Sequence, residues 1–108
     1  MSGLSEKKCE PCQGGIPPME EEEWSEMLER LDQGWKVVEG HHLRRKFSFD
    51  DFEEALEFVN KVGEIAEREG HHPNICFTWG EAEIKIFTHE IDGLHENDFI
   101  LASKIDEL

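Results

Sequence analysis

The four residues Gly70-His71-His72-Pro73 constrain the fold of this chain more than any other stretch. They separate a long run with helical periodicity from a shorter run in which apolar and polar residues alternate. Glycine readily takes the left-handed conformation that ends a helix. Proline disfavours helix at the residue before it and cannot continue a helix itself. The sequence therefore predicts a sharp corner here that holds two adjacent imidazoles.

A third histidine can return to this corner. After Pro73 the chain alternates between apolar and polar residues as far as Trp79, turns at Gly80-Glu81, and alternates again until His89. Two such segments joined by a short turn are typical of a β-hairpin, whose second strand runs back along the first. We therefore expect His89 to lie beside His71 and His72, which makes the three histidines a candidate site.

Apolar periodicity along the whole chain predicts the order α-β-β-α-β-β-α. Helices are expected at about 19–31, from Asp50 to the corner, and at about 96–107; strands are expected at about 35–39, 43–49, 74–79 and 82–89. Asp50 and Glu53 resemble a capping box at the start of the second helix. Two hairpins and three amphipathic helices favour the α+β class, with a four-stranded antiparallel sheet and three helices packed on one face.

The chain of 108 residues is long enough for one domain with a core. Residues 1–18 are polar and contain Gly14-Gly15 and Pro17-Pro18, which predicts a flexible N-terminal arm ahead of a domain at 19–108. The arm contains Cys9-Glu10-Pro11-Cys12. This C-x-x-C is either half a zinc site or a redox pair, or simply two thiols in a tail, because a zinc site needs about four ligands.

Charge excludes several kinds of partner. The formal net charge is −15, which argues against nucleic acid and anionic membrane, since both bind proteins through Lys and Arg. No apolar run approaches the roughly 18 residues of a membrane span, and no signal-peptide core follows the first residues. Three cysteines without a secretion signal fit a reducing compartment. A cytoplasmic location is expected.

Several kinds of chemistry are open to the three histidines. They could ligate zinc, pair with Cys76 as a nucleophile, act as general acids and bases near neutral pH, or be structural. Glu67 lies four residues before His71 and could orient an imidazole at the corner or remain a surface acid. Asp98 falls on the inward arc of the last helix, where a first-turn carboxylate would also satisfy backbone N–H groups.

The second histidine pair and one phenylalanine are interpreted separately from the candidate site. His41-His42 follows Gly40 at a predicted hairpin turn, which favours solvent-exposed side chains over a second site. Phe87 lies on the polar side of the last predicted strand, so we expect another surface, such as a second subunit, to cover it.

The spacing Glu67-x-x-x-His71-His72-Pro73, then Trp79, His89 and Asp98 resembles the signature of the pterin-4a-carbinolamine dehydratase family. The intervals are five, nine and eight residues, and the likeness extends from about Met19 to the C-terminus. It includes the segments 47–52 and 88–90, whereas the cysteine-containing arm lies outside it.

The resemblance implies a hydro-lyase that removes water from 4a-hydroxytetrahydropterin and returns quinonoid dihydropterin, recycling the pterin of aromatic amino acid hydroxylases. It implies no metal or organic cofactor, a pterin as the small-molecule partner, and a homodimer or homotetramer. By the same resemblance His71 and His89 would be an acid/base pair, and His72 would bind pterin and share the proton transfer. Glu67 would orient the corner, Trp79 would form a pocket wall or core, and Asp98 would cap its helix with a possible role in the pocket. The alternative is a non-catalytic pterin- or protein-binding module.

Overall fold

The computed structural model describes residues 3–10 and 14–108, and it follows the predicted order of elements. The helices are α1 (Glu21–Leu28), α2 (Phe52–Glu69) and α3 (Glu96–Asp106); the strands are β1 (Lys36–Val38), β2 (His42–Ser48), β3 (Asn74–Thr78) and β4 (Glu81–Ile86). The strands form one antiparallel sheet in the order β1-β2-β4-β3. The α+β class and the four-stranded antiparallel sheet are therefore confirmed.

Strand alternation divides the sheet into a core face and an outer face. On the core face, Leu43 of β2 lies opposite Ile86 of β4, and Ile75 of β3 lies opposite Ile84 of β4. Leu43, Ile84 and Ile86 are completely buried. The outer face carries charged pairs such as Arg44 of β2 and Glu83 of β4, whose Nε and Oε2 atoms are 2.6 Å apart. The sheet therefore buries one face only.

Helix α3 is buried on nearly all sides. Its apolar residues Phe99, Leu101 and Ile105 belong to the same core cluster as the sheet, α1 and α2. Each such side chain stabilises the fold by about 1.5–3 kcal/mol relative to leaving it in water. Because α3 lies at the centre, the polar residues of its first turn are buried as well. The burial of this first turn positions polar side chains of the candidate site.

The N-terminal segment, residues 3–10, packs against α3, although the sequence predicted a flexible arm. Leu4 is completely buried in the core cluster. Lys104, near the end of α3, donates from Nζ to the Ser5 carbonyl oxygen at 2.7 Å. Asn97, at the start of α3, hydrogen-bonds the backbone of Glu10. The segment therefore runs antiparallel to α3. It covers a side of the helix that would otherwise be exposed to solvent.

Several boundaries differ from the predictions. Helix α1 ends at Leu28 rather than near residue 31, before Gly34 is reached. The N-cap of α2 is Asp51 rather than Asp50, and its carboxylate accepts a hydrogen bond from the Glu54 backbone N–H at 2.8 Å. Both Asp50 and Asp51 have a glutamate three residues later, so sequence alone did not distinguish them. Gly70 is left-handed, with φ 68°, and ends α2 as predicted.

The predicted last strand is too long by three residues. Strand β4 ends at Ile86, and Thr88 forms an isolated bridge with Gly93. Between them the chain makes a short 3₁₀ turn, His89–Ile91, followed by Asp92 at φ 50°. His89 therefore lies on a turn beyond the sheet. Among the residues that the structure describes, no helix is long and apolar enough to span a membrane.

Candidate active site

A cavity of about 410 Å³ lies where the end of α2, the 3₁₀ turn, the start of α3 and the N-terminal segment meet. Its volume falls within the usual range for small-molecule sites. All three predicted histidines line it, together with six other residues: Cys9, Glu10, Glu69, Gly70, Glu90 and Asn97. The corner and the 3₁₀ turn thus bring His71, His72 and His89 to one hollow, and no Lys or Arg lies among its lining residues.

His71 is held by a buried carboxylate. Its Nε2 atom lies 2.6 Å from Oδ1 of Asp98, and the Asp98 side chain is completely buried. The other oxygen, Oδ2, accepts hydrogen bonds from Thr88 Oγ1 at 2.9 Å and from the His95 backbone N–H at 2.8 Å. A carboxylate only accepts, so the proton of neutral His71 lies on Nε2 and its Nδ1 atom has a free lone pair. Asp98 therefore caps α3, as predicted, and also orients His71.

Glu67 contacts the second histidine of the corner. Its Oε2 atom lies 2.5 Å from Nε2 of His72, and it makes no hydrogen bond with His71. Both side chains are largely exposed, at 60% for His72 and 80% for Glu67. Exposed pairs of this kind contribute little to stability because water screens them. The orienting role that the sequence suggested for Glu67 thus applies to His72, while Asp98 performs it for His71.

His89 is positioned by stacking. Its ring lies 4.3 Å from the ring of Phe87 at an interplanar angle of 25°, and His41 packs on Phe87 with centroids 4.6 Å apart. His41 Nε2 in turn lies 2.7 Å from Oδ1 of Asp92, which follows the 3₁₀ turn. Phe87 is therefore covered within the chain by two imidazoles.

The pair His41-His42 is less exposed than the sequence predicted. Both side chains are half-buried, and their Nδ1 atoms are 3.1 Å apart. Burial, the Lys85 ammonium and the neighbouring His41 lower the pKa of His42. Neither residue lines the cavity, and it is His41 that packs on Phe87.

Of the two described cysteines, Cys9 lies at the cavity and Cys76 does not. Burial, and then the negative charges of Glu69 and Asp98, raise the pKa of Cys9 to about 12, so its thiol stays protonated near neutral pH. Cys76 lies exposed on edge strand β3, with its partner Glu83 on the outer face. The structure therefore supports neither cysteine as the nucleophile of a Cys-His pair.

The C-x-x-C motif is only half described, because Cys12 lies outside the described residues, and its metal or redox role stays a prediction. Within 3–10 and 14–108, no group of three or more His, Cys, Asp or Glu side chains is placed to hold a metal ion.

Trp79 does not lie at the cavity. It follows β3 at the turn, five residues beyond the start of the strand at Asn74 and 66% exposed. Five residues of strand span about 17 Å, which separates it from the corner that precedes β3. The single chain therefore places Trp79 outside the core and outside this cavity, and its role in binding substrate stays a prediction.

Five residues that line the cavity were not assigned to the site by sequence reasoning: Cys9, Glu10, Glu69, Glu90 and Asn97. The sequence singled out Cys9 and Glu10 only as part of the C-x-x-C motif, and their place at the cavity depends on the N-terminal segment packing against the domain. Together the lining residues can exchange protons through imidazoles and accept hydrogen bonds through carboxylates.

Comparison with known proteins points to one family. The family model described as "Pterin 4 alpha carbinolamine dehydratase" matches residues 17–108. A protein of Rubrobacter xylanophilus named "Putative pterin-4-alpha-carbinolamine dehydratase" is 58% identical over 108 residues, covering 100% of both chains. One of the same name from Rickettsia canadensis is 52% identical, over 98% of this chain and 97% of its own.

A solved structure is similar as well. The crystal structure described as "transcriptional coactivator/pterin dehydratase" from Brucella melitensis superposes with a TM-score of 0.78 at 32% identity. The match covers 83% of this chain and 96% of that one.

Proposed function

The chain belongs to the pterin-4-alpha-carbinolamine dehydratase family, and we propose that it removes water from 4a-hydroxytetrahydropterin to give quinonoid dihydropterin. This makes it a hydro-lyase. The observation that carries the proposal is the cavity lined by His71, His72 and His89, in which His71 is oriented by the buried carboxylate of Asp98.

The reaction needs little beyond proton transfer. In a carbinolamine the carbon that bears the hydroxyl also bears a nitrogen, whose lone pair forms the C=N bond as the C–O bond breaks. The hydroxyl takes one proton and leaves as water, and the nitrogen gives up its own proton. One acid and one base, each with a proton affinity near neutral pH, suit both transfers and contribute about 10²–10⁴-fold each. The proposal therefore includes no metal and no organic cofactor.

His71 and His89 are assigned the acid/base roles. His71 has its Nε2 proton bound to Asp98, which leaves Nδ1 to exchange a proton with substrate. His89 has its ring set by stacking on Phe87. His72, tied to the exposed Glu67, is assigned to binding pterin with a share in proton transfer.

The recycling of pterin for aromatic amino acid hydroxylases is the proposed cellular role, as the family resemblance implies. We place this reaction in the cytoplasm.

A homo-oligomer is also part of the proposal. Strand β3 is at the edge of the sheet, and apolar side chains lie exposed near it: Phe52 at 46%, Leu56 at 39% and Trp79 at 66%. Phe52 stacks on Phe77 of β3, so the helix and the strand contribute to one apolar surface. Such an edge favours pairing with another strand. A second copy of the chain is the occupant we propose.

The test is a turnover assay with 4a-hydroxytetrahydropterin generated in situ. Purified protein should accelerate loss of water well above the rate in buffer, and His71→Ala and His89→Ala should each reduce kcat at least 10-fold. His42→Gln is the matched control, because His42 lies on the outer side of β2 and away from the cavity. Protein that gives the buffer rate would contradict the proposal.

A binding module is the second candidate, because the Brucella melitensis protein is described as a transcriptional coactivator as well as a pterin dehydratase. A module of this kind would bind pterin or a protein partner with no turnover, and His89→Ala would leave that binding unchanged.

A further inference from the structure

The N-terminal segment lies outside the family match, which begins at residue 17, yet it forms part of the cavity. The Rubrobacter xylanophilus relative aligns over the whole of this chain, so a segment of this kind also precedes the family domain there. Its contribution to the site is thus separate from the histidine motif.

Three side chains hold the segment against the domain. Asn97, itself 3% exposed, accepts from the Glu10 backbone N–H at 3.0 Å and donates to the Glu10 carbonyl oxygen at 2.5 Å. Glu69 accepts from the Cys9 backbone N–H at 2.9 Å, and Lys104 binds the Ser5 carbonyl oxygen. A side-chain amide that meets both backbone groups of one residue sets its position closely. The backbone of Glu10 is therefore fixed at the cavity wall.

The carboxylate of Glu10 is available for a ligand. Glu10 lines the cavity and is exposed, and within residues 3–10 and 14–108 its hydrogen bonds are made by its backbone, not by its carboxylate. Of the two other lining carboxylates, Glu69 is already bound to Cys9 and lies 3.7 Å from Lys104 Nζ. Glu90 lies on the exposed 3₁₀ turn, and no side chain clamps its backbone.

A pterin ring has chemistry that matches such a group. Its pyrimidinone edge presents a ring N–H beside an exocyclic amino group, two parallel donors at the spacing of the two oxygens of a carboxylate. Paired hydrogen bonds to a charged acceptor are stronger and more specific than neutral ones. No Lys or Arg lines this cavity, and Lys7, which lines a neighbouring cavity together with Glu10, is paired with Glu96.

We propose that Glu10 binds the amino-pyrimidinone edge of the pterin, and that the N-terminal segment is thus the specificity wall of the substrate site. The inference rests on the proposed function for the identity of the substrate. Glu10 is a binding residue and takes no part in the proton transfers.

The experiment compares wild type with Glu10→Gln, Glu90→Gln and the matched control Glu6→Gln, which makes the same charge change on an exposed residue of the same segment. Two quantities are measured: the KM and kcat for 4a-hydroxytetrahydropterin, and the Kd of fully oxidised pterin from its fluorescence. Glu10→Gln should raise both KM and Kd by roughly 10-fold, the effect of losing one charge-assisted contact, with kcat changed less than about 2-fold. Glu6→Gln should resemble wild type, and Glu90→Gln should raise KM and Kd less than Glu10→Gln does.

Wild-type KM and Kd in Glu10→Gln would overturn the inference, as would an increase that appears in Glu90→Gln instead. Equal increases in Glu6→Gln would overturn it too, since the cause would then be net charge. If wild type binds pterin without turning over the carbinolamine, the proposed function fails, whereas the Kd comparison still tests Glu10.

Discussion

The Nε2 atom of His71 lies 2.6 Å from Oδ1 of Asp98, although 27 residues separate them in the chain. Asp98 reaches this position because α3 runs through the centre of the core with its first turn buried. The same carboxylate accepts from Thr88 and His95, so it joins the 3₁₀ turn, the cap of α3 and the corner after α2. One buried carboxylate thus positions the site and ties three elements together.

Asp98→Asn should reduce kcat more than it changes KM. The amide keeps the size of the side chain but removes the carboxylate that holds the Nε2 proton of His71 and orients its ring. We expect a loss of roughly 10- to 100-fold, as for carboxylates that orient metal-ligating imidazoles. One amide donor would also face Thr88 or His95, which costs about 1–3 kcal/mol of stability. Steady-state kinetics below the Tm of the variant, with circular dichroism to confirm folding, separates the two effects; an unchanged kcat would show that His71 does not depend on Asp98.

Phe87→Leu should impair the enzyme through His89. The stacked rings, 4.3 Å apart, contribute about 0.5–1.5 kcal/mol beyond simple burial, and a leucine cannot reproduce that geometry. We expect kcat to fall by about 3- to 10-fold, as the imidazole of His89 samples unproductive orientations. Phe87→Tyr keeps the ring and should retain nearly full activity. Equal losses of kcat in both variants would mean that stacking on residue 87 does not determine how His89 functions.

The two described cysteines should differ in reactivity. At pH 8 only about one in ten thousand Cys9 thiols is ionised at a pKa of about 12, and the thiolate is the reactive form. We expect iodoacetamide to label exposed Cys76 well before Cys9, as measured by mass spectrometry of fragmented peptides. Because folding holds the proton on Cys9, its contribution to stability is present below the unfolded-state pKa of 9.0 and is lost as pH rises toward about 12. Fast labelling of Cys9 in the native protein would contradict the packing of the N-terminal segment.

Leu4→Ala should destabilise the whole domain. Leu4 is completely buried, and truncating a core leucine to alanine usually costs 2–5 kcal/mol in the free energy of unfolding. Ile16→Ala is the control, since Ile16 is 46% exposed and should change that free energy by less than about 0.5 kcal/mol. Urea denaturation followed by tryptophan fluorescence measures both. If Leu4→Ala unfolds at the same urea concentration as wild type, the N-terminal segment is a flexible arm that does not stabilise the domain.

Local sequence patterns predicted most of the secondary structure. Helical and alternating periodicity identified the three α-helices and four strands that the structure describes, though not the 3₁₀ turn at His89–Ile91, and Gly70 with Pro73 identified the corner. These signals act through the backbone of a few neighbouring residues. The boundaries were less certain where two equivalent signals compete, as at Asp50 and Asp51.

The sequence by itself therefore determined the element order, the histidine corner and the family, all of which depend on residues close together or on a fixed spacing. Only the tertiary structure decided that Asp98 orients His71, that Trp79 lies away from the cavity, and that Glu10 meets Asn97 across 87 residues. The physical reason is that these contacts arise from how α3 is buried between the sheet and the N-terminal segment. Packing of that kind joins residues with no periodic relation, so no local pattern encodes it.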